Sequence, residues 1–489
     1  MKSDETLYNP NKKFTIFINI LAVIMLSLVM GFAIAKGGIL AIAAFGMLPF
    51  IAIFLNKIFL NPRLGMITIL ALAFIAIGLI RYMPVKIPLG LSVDAFLILI
   101  YIALFFKSTR SYVPWHKASS PLTYAAIIWF LYSLFELVNP EAISKVAWFY
   151  AMRGVSLYML LSIPLVFILF DKFENMQQFF LIWGFFSLLG SLKGMMQLFV
   201  GVDYAEKAWL DAGNAVTHIL FGKLRVFSFY SDAGQFGASQ AHTGIVFSIL
   251  YVGCKIKKYK RFYLLVAVLG FYGMLISGTR GAIVIPLVGL MIYFGLQKNI
   301  KMIVTGVILI SAIFVFFKYT TIANGNAQIR RMRTAFDPNN PSLQVRLRNQ
   351  KILKTYLASR PFGGGIGSAG NWGRRFSPNG FLANVPTDSW YVAIWAEQGV
   401  VGLTLHLLIL FFILGKGAWV SMFELKNKLI KNKIMALTAG LGGIMAASYG
   451  NGILGQQPTG ILLYFSMAYI FLAPKLEHEL DETTSLEKA

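Results

Sequence analysis

The chain has 489 residues, of which 57% are hydrophobic and only 13% are charged. This balance excludes an ordinary soluble domain, in which about a quarter of the residues are charged. The formal net charge of +24 would suggest a nucleic-acid-binding protein, but most Lys and Arg residues stand in short segments between apolar runs. That distribution is typical of membrane topology. The sequence therefore predicts an integral membrane protein with no nucleic-acid partner.

Apolar runs recur along the chain and predict membrane-spanning helices. About 20 apolar residues cross the hydrocarbon core as a helix, and these runs lack the polar and apolar alternation of β-barrel strands. The predicted fold is an all-α integral membrane protein with about 14 transmembrane helices, in the range of about 12–14, and one large, partly helical external loop. The predicted spans are residues 14–35, 38–55, 64–82, 94–107, 121–138, 154–171, 178–200, 235–254, 262–277, 281–297, 301–317, 387–415, 433–450 and 458–474.

The distribution of basic residues predicts the orientation of the chain. A cytoplasmic N-terminus puts the Lys-rich segments 255–261 and 416–433 on the cytoplasmic side, as the positive-inside rule requires. Both termini are then cytoplasmic.

Residues 1–13 are polar and no cleavage site follows them, so we expect no removable signal peptide. Cys254 is the only cysteine, which excludes an intramolecular disulfide and makes a cysteine metal site implausible.

These spans divide the chain into four parts. They are residues 1–317 with helices 1–11, a large periplasmic or external loop at 318–386, residues 387–474 with helices 12–14, and a cytoplasmic tail at 475–489. We expect the tail to be solvated and disordered. The loop carries eleven Lys and Arg residues against a single acid, Asp337. Long loops translocate largely regardless of charge, so this excess indicates a purpose other than orientation.

Two stretches of the loop have the apolar spacing of amphipathic helices. They are ANGNAQIRRMRTAF and SLQVRLRNQKILKTYLASRPF. Pro341 is a plausible start signal for the second helix, and Pro361 followed by GGGIGSAG is a plausible stop. We therefore expect the loop to be ordered in part rather than disordered.

Three arginines near the predicted external face are candidates for phosphate binding. Arg225 and Arg346 lie in external segments, and Arg280 lies between two spans at the same depth. A guanidinium forms bidentate pairs with phosphate oxygens, which Lys cannot reproduce. The alternative is that each arginine reaches to lipid head groups or pairs with a nearby carboxylate. Their joint occurrence around one loop favours a functional role for at least two of them.

Four motifs follow one another across residues 220–405. They are RVFSFYSDAGQFGA before a span, SGTRGA between two spans, SLQVRLRNQKILKTYLASRPFGGGIGSAG in the loop, and TDSWYVAIWAEQGVVGL entering the next span. In this order, and around one large external loop, they resemble the O-antigen ligase and O-antigen polymerase superfamily of bacterial polytopic membrane proteins. Each motif is short, and their combination is fairly specific.

The resemblance implies a metal-independent glycosyltransferase of the GT-C type that needs no cofactor. The implied donor is a glycan on undecaprenyl pyrophosphate at the outer face of the inner membrane, and the acceptor is lipid A-core in a ligase or another lipid-linked glycan in a polymerase. Arg225 and Arg346 match the arginines that are taken to bind the pyrophosphate in this family, and Arg280 matches the arginine of its SGSRGA-like motif. Membrane lipids are further expected partners.

One position departs from the pattern of the ligases in this family. They place a histidine just before the helix that closes the loop, where this chain has Thr387, Asp388 and Ser389. Asp388 is a chemically sensible replacement, because a carboxylate can accept the proton of an acceptor hydroxyl while Arg346 and other arginines offset charge on the departing pyrophosphate. Such direct displacement would invert the anomeric centre. The alternative for Asp388 is a helix N-cap.

Weaker candidates remain open on sequence alone. Asp232 and Gln235 could line the same cavity as Arg225 or cap the following helix. Lys193 lies in a predicted span, where ionisable residues are expensive, and shows no partner in the sequence. Glu397 lies about two and a half helical turns beyond Asp388 and is expected to be a buried packing partner.

Two other classes of protein compete with the enzyme. A transporter or flippase of lipid-linked glycans would have as many spans, but such proteins usually show two similar halves, and here the halves look unlike. A scaffold subunit of an envelope assembly would explain the basic loop as a docking surface. Neither would require Arg225, Arg280, Arg346 and Asp388 to converge. The sequence therefore favours the glycosyltransferase, and it separates neither ligase from polymerase nor one sugar from another.

Overall fold

The computed structural model of the protein describes residues 45–83, 89–220, 222–325, 327–337 and 339–486, together with residues 27, 31 and 38. The chain divides into two compact units, Met1–Leu64 and Gly65–Ala489. In the first unit an apolar helix, α1, covers Phe45–Leu60. Apart from residues 27 and 31, the predicted span 14–35 lies outside the described residues.

The rest of the described chain is almost entirely helical. The first group of helices is α2 (Pro62–Leu79), α3 (Ser92–Ser108), α4 (Pro121–Phe135), α5 (Lys145–Met152), α6 (Tyr158–Leu169), α7 (Phe173–Phe199), α8 (Tyr204–Trp209) and α9 (Ala215–His218). A two-stranded antiparallel hairpin follows, β1 (Ile219–Leu220) and β2 (Lys223–Leu224). The second group is α10 (Ala233–Gly253), α11 (Lys257–Ile276), α12 (Val284–Leu296), α13 (Ile300–Tyr319), α14 (Ala327–Arg333), α15 (Pro341–Leu357), α16 (Gly370–Phe376), α17 (Phe381–Asn384), α18 (Trp390–Trp419), α19 (Lys428–Ala447) and α20 (Thr459–Leu486).

Nine helices among the described residues are long and apolar enough to cross a membrane, by length and composition. They are Pro62–Tyr82, Leu89–Ser108, Pro121–Val138, Lys145–Leu169, Phe173–Phe199, Lys257–Ile276, Ile300–Tyr319, Trp390–Glu424 and Thr459–Glu482. The prediction of an all-α, multi-pass membrane protein is therefore confirmed. The larger predicted number of spans and the external position of the loop remain predictions.

Helices α10 and α19 coincide with two predicted spans and are not among the nine. Their sequences explain this, because α10 contains AGQFGASQAHTG and α19 contains TAGLGG, which are rich in small and polar residues. Nearly all of both helices is buried. Helix α10 packs against α7, α11, α12 and α19. Other helices rather than lipid therefore surround it, and it need not be strongly apolar.

Close backbone approach and interhelical hydrogen bonds hold α10 in place. A Cβ atom added to Gly270 of α11 would lie 2.9 Å from the backbone nitrogen of Gly244 of α10. Small residues at such positions let membrane helices pack tightly. On another face, Trp183 of α7 donates a 2.9 Å hydrogen bond from Nε1 to Thr243 Oγ1, and Ser191 donates a 3.0 Å bond to Gln240 Oε1. The centre of the protein is thus a rigid support for the residues at the start of α10.

The segment between α13 and α18 contains four helices. The two predicted amphipathic helices are confirmed as α14 and α15, and α15 begins at Pro341 as the start signal indicated. The GGGIG stretch then packs against α18, where Gly364 N donates a 2.9 Å hydrogen bond to Ala396 O. Helix α18 is kinked at Gly399, which has φ of 66°. Glu397 is buried and accepts a 3.1 Å hydrogen bond from Ala369 N, as its predicted packing role requires.

The prediction of a disordered tail was wrong for residues 475–486, because α20 continues through Pro474 to Leu486. The acidic side chains of the tail explain its order. Glu477 accepts hydrogen bonds from the backbone N–H groups of Lys426 and Asn427, just before α19. A carboxylate is favoured there, since the first N–H groups of a helix have no partner within the helix.

Candidate active site

Arg225 is held at the start of the segment that leads into α10. It follows the β1–β2 hairpin, and its backbone nitrogen donates a 2.7 Å hydrogen bond to His218 O. Its guanidinium donates to Thr217 O at 3.1 Å and to Thr279 Oγ1 at 3.3 Å. Thr279 in turn donates a 2.7 Å bond to Ala233 O of α10. These bonds fix Arg225 between the hairpin, α10 and the SGTRGA motif.

Arg81 secures the backbone that follows Arg225. Its guanidinium donates to Ser228 O at 2.8 Å and also to the carbonyl of Tyr230. The same group lies 4.3 Å from the centre of the Trp209 ring, in a cation–π contact. Arg81 therefore positions the loop that carries Arg225.

Arg280 enters the same region from the other side. It begins a 3₁₀ turn that leads into α12, two residues after Gly278, whose φ of 60° favours glycine. Its Nη1 donates a 3.2 Å hydrogen bond to Thr334 Oγ1, just after α14. A Cβ atom on Gly278 would lie 3.2 Å from Arg331 Cδ. The motif thus brings Arg280 and Arg331 together.

A cavity of about 640 Å³ is lined by basic residues from three segments. These are the β1–β2 hairpin with Arg225, the SGTRGA motif, and helix α14. Its lining includes Arg225, Arg280, Arg330 and Arg331, with Lys223 on the hairpin. The Nε atoms of Arg225 and Arg331 are buried and lack a hydrogen-bond partner among the described residues. The cavity therefore offers several guanidinium donors to a ligand, and we call it the arginine cavity.

The electrostatics of the arginine cavity favour an anion. Burial, together with the charges of Arg225 and Arg280, lowers the pKa of Arg331 to about 10. Burial and the charge of Arg280 also lower the pKa of Arg225, although Asp232 acts in the opposite direction. Like charges held together at low solvent exposure destabilise one another. A bound anion would relieve this repulsion.

Arg346 and Asp388 form an ion pair with each other. Arg346 Nε lies 3.7 Å from Asp388 Oδ2, and the Asp388 side chain is 50% exposed. Neither residue is among the described residues that line the cavity. Arg346 lies within electrostatic range of Arg280. Arg225 and Arg280 thus line one cavity, and Arg346 links Arg280, through electrostatic interaction, to its own partner Asp388.

The loop after α19 connects these two groups. A Cβ atom on Gly281 would lie 2.5 Å from Asn451 Nδ2, and one on Gly450 would lie 3.7 Å from Arg346 Nη1. The backbone of this loop also accepts hydrogen bonds from Trp390 N, at 3.0 Å to Ser448 O. The loop therefore sets the distance between Arg280, Arg346 and the start of α18. Nothing in the sequence around it signals this role.

Asp388 is not the cap of α18. The N-cap is Ser389, whose Oγ accepts a 3.4 Å hydrogen bond from Val392 N. The cap alternative for Asp388 was therefore wrong, and its carboxylate is left to Arg346 and solvent. This is the exposure that a proton acceptor for an incoming hydroxyl requires.

Asp232 and Gln235 have supporting positions. Asp232 Oδ1 accepts a 3.0 Å hydrogen bond from Gln235 N, so Asp232 is the N-cap of α10. Gln235 is buried and its Nε2 donates a 2.8 Å bond to Thr459 Oγ1 at the start of α20. Neither lines the arginine cavity among the described residues. They hold the helix that carries the site, which is the alternative that the sequence left open.

Lys193 has partners that the sequence did not reveal. Its Nζ lies 2.8 Å from Asp203 Oδ2 and 3.1 Å from Glu206 Oε1. Burial raises the pKa of Asp203, but hydrogen bonds from Lys193 and Tyr82 more than offset it and lower that pKa to about 2. Lys193 is thus a structural ion-pair residue that anchors the segment before Arg225.

A comparison with protein families identifies the part of the chain that contains most of this site. Residues 265–407 match the family model described as O-antigen ligase. This part of the chain is similar to the O-antigen ligase domain. The match runs from α11 into α18 and includes Arg280, Arg331, Arg346 and Asp388, whereas Arg225 precedes it. A search of the curated proteins finds no match.

The match confirms the resemblance to the O-antigen ligase and polymerase superfamily. O-antigen ligases are membrane enzymes of the glycosyltransferase type, and they act on lipid-linked glycans. Arg330 and Arg331 line the cavity, although the sequence did not single them out as site residues. The available signal was the RRMR cluster of the predicted amphipathic helix α14, because one face of that helix had to meet the rest of the protein.

Proposed function

We propose that the protein transfers a glycan from undecaprenyl pyrophosphate to a hydroxyl group of an acceptor sugar. The observation that carries this proposal is the arginine cavity, where Arg225, Arg280 and Arg331 meet within reach of Arg346. Guanidinium groups bind phosphate oxygens in a bidentate manner, and several of them can hold a pyrophosphate. The volume of about 640 Å³ accommodates the pyrophosphate and the first sugar.

In the proposed reaction, each of these groups has one task. The acceptor hydroxyl attacks the anomeric carbon of the donor sugar and gives its proton to Asp388. The bond between that carbon and the pyrophosphate oxygen breaks, and the leaving undecaprenyl pyrophosphate keeps the electron pair. The arginines offset the negative charge that develops on the leaving group. This single displacement inverts the anomeric centre and needs no metal ion.

The arginine cavity lies where α10 begins and α11 ends. Arg225 and Asp232 precede α10, Arg280 follows α11, and Asp388 precedes α18. The Lys-rich segment 255–261 begins at the opposite end of α10. With basic loops in the cytoplasm, the site faces the outer side of the inner membrane, and residues 318–386 form the external loop that covers it. The acceptor is lipid A-core or another lipid-linked glycan.

The decisive experiment is transfer by the purified protein in lipid nanodiscs. A defined undecaprenyl-pyrophosphate glycan is the donor, and lipid A-core and a second lipid-linked glycan are offered in parallel. We expect product with one acceptor, unchanged by a metal chelator, and no product with Arg225→Ala, Arg346→Ala or Asp388→Asn. Arg374→Gln is the matched control, because Arg374 is exposed and its Nη2 donates a 2.6 Å hydrogen bond to Oδ1 of the nearby Asn371.

Two outcomes would contradict the proposal. Normal transfer by Asp388→Asn and Arg225→Ala, with both variants correctly folded, would remove the assigned roles. Movement of the donor across the bilayer without any transfer would instead identify a flippase.

A further inference from the structure

A second cavity lies at the other end of the helix bundle. It has a volume of about 780 Å³ and is formed by the start of α7, the end of α10 and the starts of α11 and α19. Helix α10 has 21 residues, which corresponds to a length of about 30 Å. The second cavity and the arginine cavity are therefore at opposite ends of α10, and the proposed transfer reaction does not use the second one.

A buried lysine is the polar centre of the second cavity. Lys433 is only 4% exposed, and its Nζ donates a 2.8 Å hydrogen bond to Gln177 Oε1. Gln177 is oriented by its own 2.7 Å bond to the hydroxyl of Tyr263. The rings of Phe180 and Phe173 lie 5.1 and 5.6 Å from Nζ. The ammonium group is thus placed by a polar side chain and by aromatic faces.

Lys433 has no counter-charge among the described residues. Within the described parts of the chain, no carboxylate lies within ion-pair distance of its Nζ. Glu174 is the acidic residue of the cavity lining, whereas Lys255 and Lys428 add further positive charge. An ammonium has three donors, and a buried charge without a counter-charge is strongly unfavourable. A ligand that brings a negative charge would complete this site.

The other walls of the cavity indicate the shape of that ligand. Leu181, Leu250, Ile256 and Tyr259 line it, and a phosphate alone would leave most of its volume unfilled. An anion attached to an apolar body fits better, and lipids of the surrounding leaflet have that composition.

We propose that this cavity binds a phosphate group, with Lys433 as its cation. The phosphate is carried by a lipid headgroup, whose chains extend along the apolar walls, or it comes from a soluble phosphate. Lysine binds phosphate as a point charge, and Gln177 keeps that charge in place. The site is independent of the proposed glycan transfer.

The chain contains its own reporter for occupancy. Cys254 lines the second cavity and is the only cysteine of the protein. Alkylation of the purified protein by a maleimide therefore reports access to this cavity without any engineered residue. The rate is measured in detergent with phosphatidic acid, with diacylglycerol of the same chains, or with inorganic phosphate. Phosphatidic acid and diacylglycerol differ only in the phosphate group.

We expect phosphatidic acid to slow alkylation about tenfold at ten times its Kd, because only the unoccupied fraction reacts. Diacylglycerol should leave the rate unchanged. Protection by inorganic phosphate as well would identify the soluble ion as a sufficient ligand. Equal alkylation rates under all conditions, or equal protection by diacylglycerol, would overturn the proposal. Measurements on the wild-type protein are sufficient for this test.

Two variants connect the protection to the lysine. Lys433→Met keeps an apolar side chain of similar length in the buried position and should abolish protection by phosphatidic acid. Lys298→Gln is the matched control, because Lys298 is exposed, lies outside this cavity and loses the same charge. It should retain full protection. Unchanged protection in Lys433→Met would show that the lysine has only a structural role.

Discussion

Replacing Arg331 by Gln should make the protein more stable and less active. Burial and two neighbouring guanidinium groups lower the pKa of Arg331 from 12.5 to about 10. That difference corresponds to at most about 3 kcal/mol. Solvent screening at this half-buried side chain reduces it to about 1 kcal/mol. The charge of Arg331 is therefore a cost to the folded state that the substitution removes.

The sign of this effect follows from proton binding. The pKa of Arg331 is lower in the folded than in the unfolded state, so the unfolded protein holds this proton more tightly. The penalty is fully present below pH about 10 and is relieved as the pH rises through the folded pKa. At pH 7 the Arg331→Gln variant should therefore have a higher Tm, by roughly 1–2 °C for a chain of this size.

The effect of Arg331→Gln on transfer should have the opposite sign. A hydrogen bond from a charged donor is worth about 1.5–3 kcal/mol, which corresponds to a loss of about 10- to 100-fold in the rate. The assay is glycan transfer in nanodiscs, with the Tm measured on the same preparation. An undecaprenyl-pyrophosphate glycan should also raise the Tm of the wild type more than that of the variant.

Arg333 offers a matched control on the same helix. It does not line the arginine cavity, and its Nη2 donates to Ile322 O at 2.6 Å and to Thr320 Oγ1 at 3.2 Å. Arg333→Gln should lower the Tm and leave the rate per folded molecule unchanged. If Arg331→Gln instead lowered the Tm and kept the wild-type rate, Arg331 would be a structural residue and the reasoning would fail.

Four further substitutions test the framework around the site. Asp388→Asn should reduce transfer by about 10²–10⁴-fold, as expected for loss of a general base. Its Tm should be unchanged, because Ser389 and not Asp388 caps α18. Ser389→Ala should instead lower the stability by about 1 kcal/mol and leave transfer unchanged. Gly399→Ala should prevent accumulation of folded protein in membranes, since its Cβ would lie 1.9 Å from Pro361 O at a φ of 66°. Arg81→Met should lower the Tm and raise the KM for the donor, because it releases the carbonyls after Arg225; an unchanged KM would show that the loop holds its shape alone.

Much of the fold is readable from the sequence because the relevant signals are local. Apolar runs of sufficient length specify spans, and the positions of Pro341 and Pro361 bound α15 in the loop. The order of the four motifs also identified the O-antigen ligase domain. Helices α10 and α19 show where hydrophobicity alone stops being informative. They are surrounded by protein, and their small and polar residues serve packing rather than lipid contact.

The composition of the site was less accessible, since it depends on contacts between distant segments. The side of α14 that faces the arginine cavity is set by its contact with the Gly278 region, so the sequence could not choose between Arg330, Arg331 and Arg333. The cap of α18 is Ser389, one residue beyond Asp388, for which the sequence left a capping role open as the alternative. The first and last residues of a helix are generally uncertain by one or two positions. Here one residue separates a structural role from a proposed chemical one.

The basic residues of segment 318–386 have several roles, and the contacts separate them. Arg333 holds α14 to the end of α13, and Arg360 ties the end of α15 to Glu141 through a 2.9 Å ion pair. Arg330 and Arg331 line the arginine cavity, and Arg346 pairs with Asp388.

The cavity arginines therefore depend on the anchored arginines for their positions. Arg333 and Arg360 fix the helices that carry Arg331 and Arg346, and they do so through bonds that require no ligand. The cavity arginines can then remain close together despite their mutual repulsion, because the segment is held at its edges. A donor pyrophosphate would meet guanidinium groups that are already in position, so little of its binding energy would be used to order them. The basic character of this segment follows from that arrangement rather than from membrane orientation.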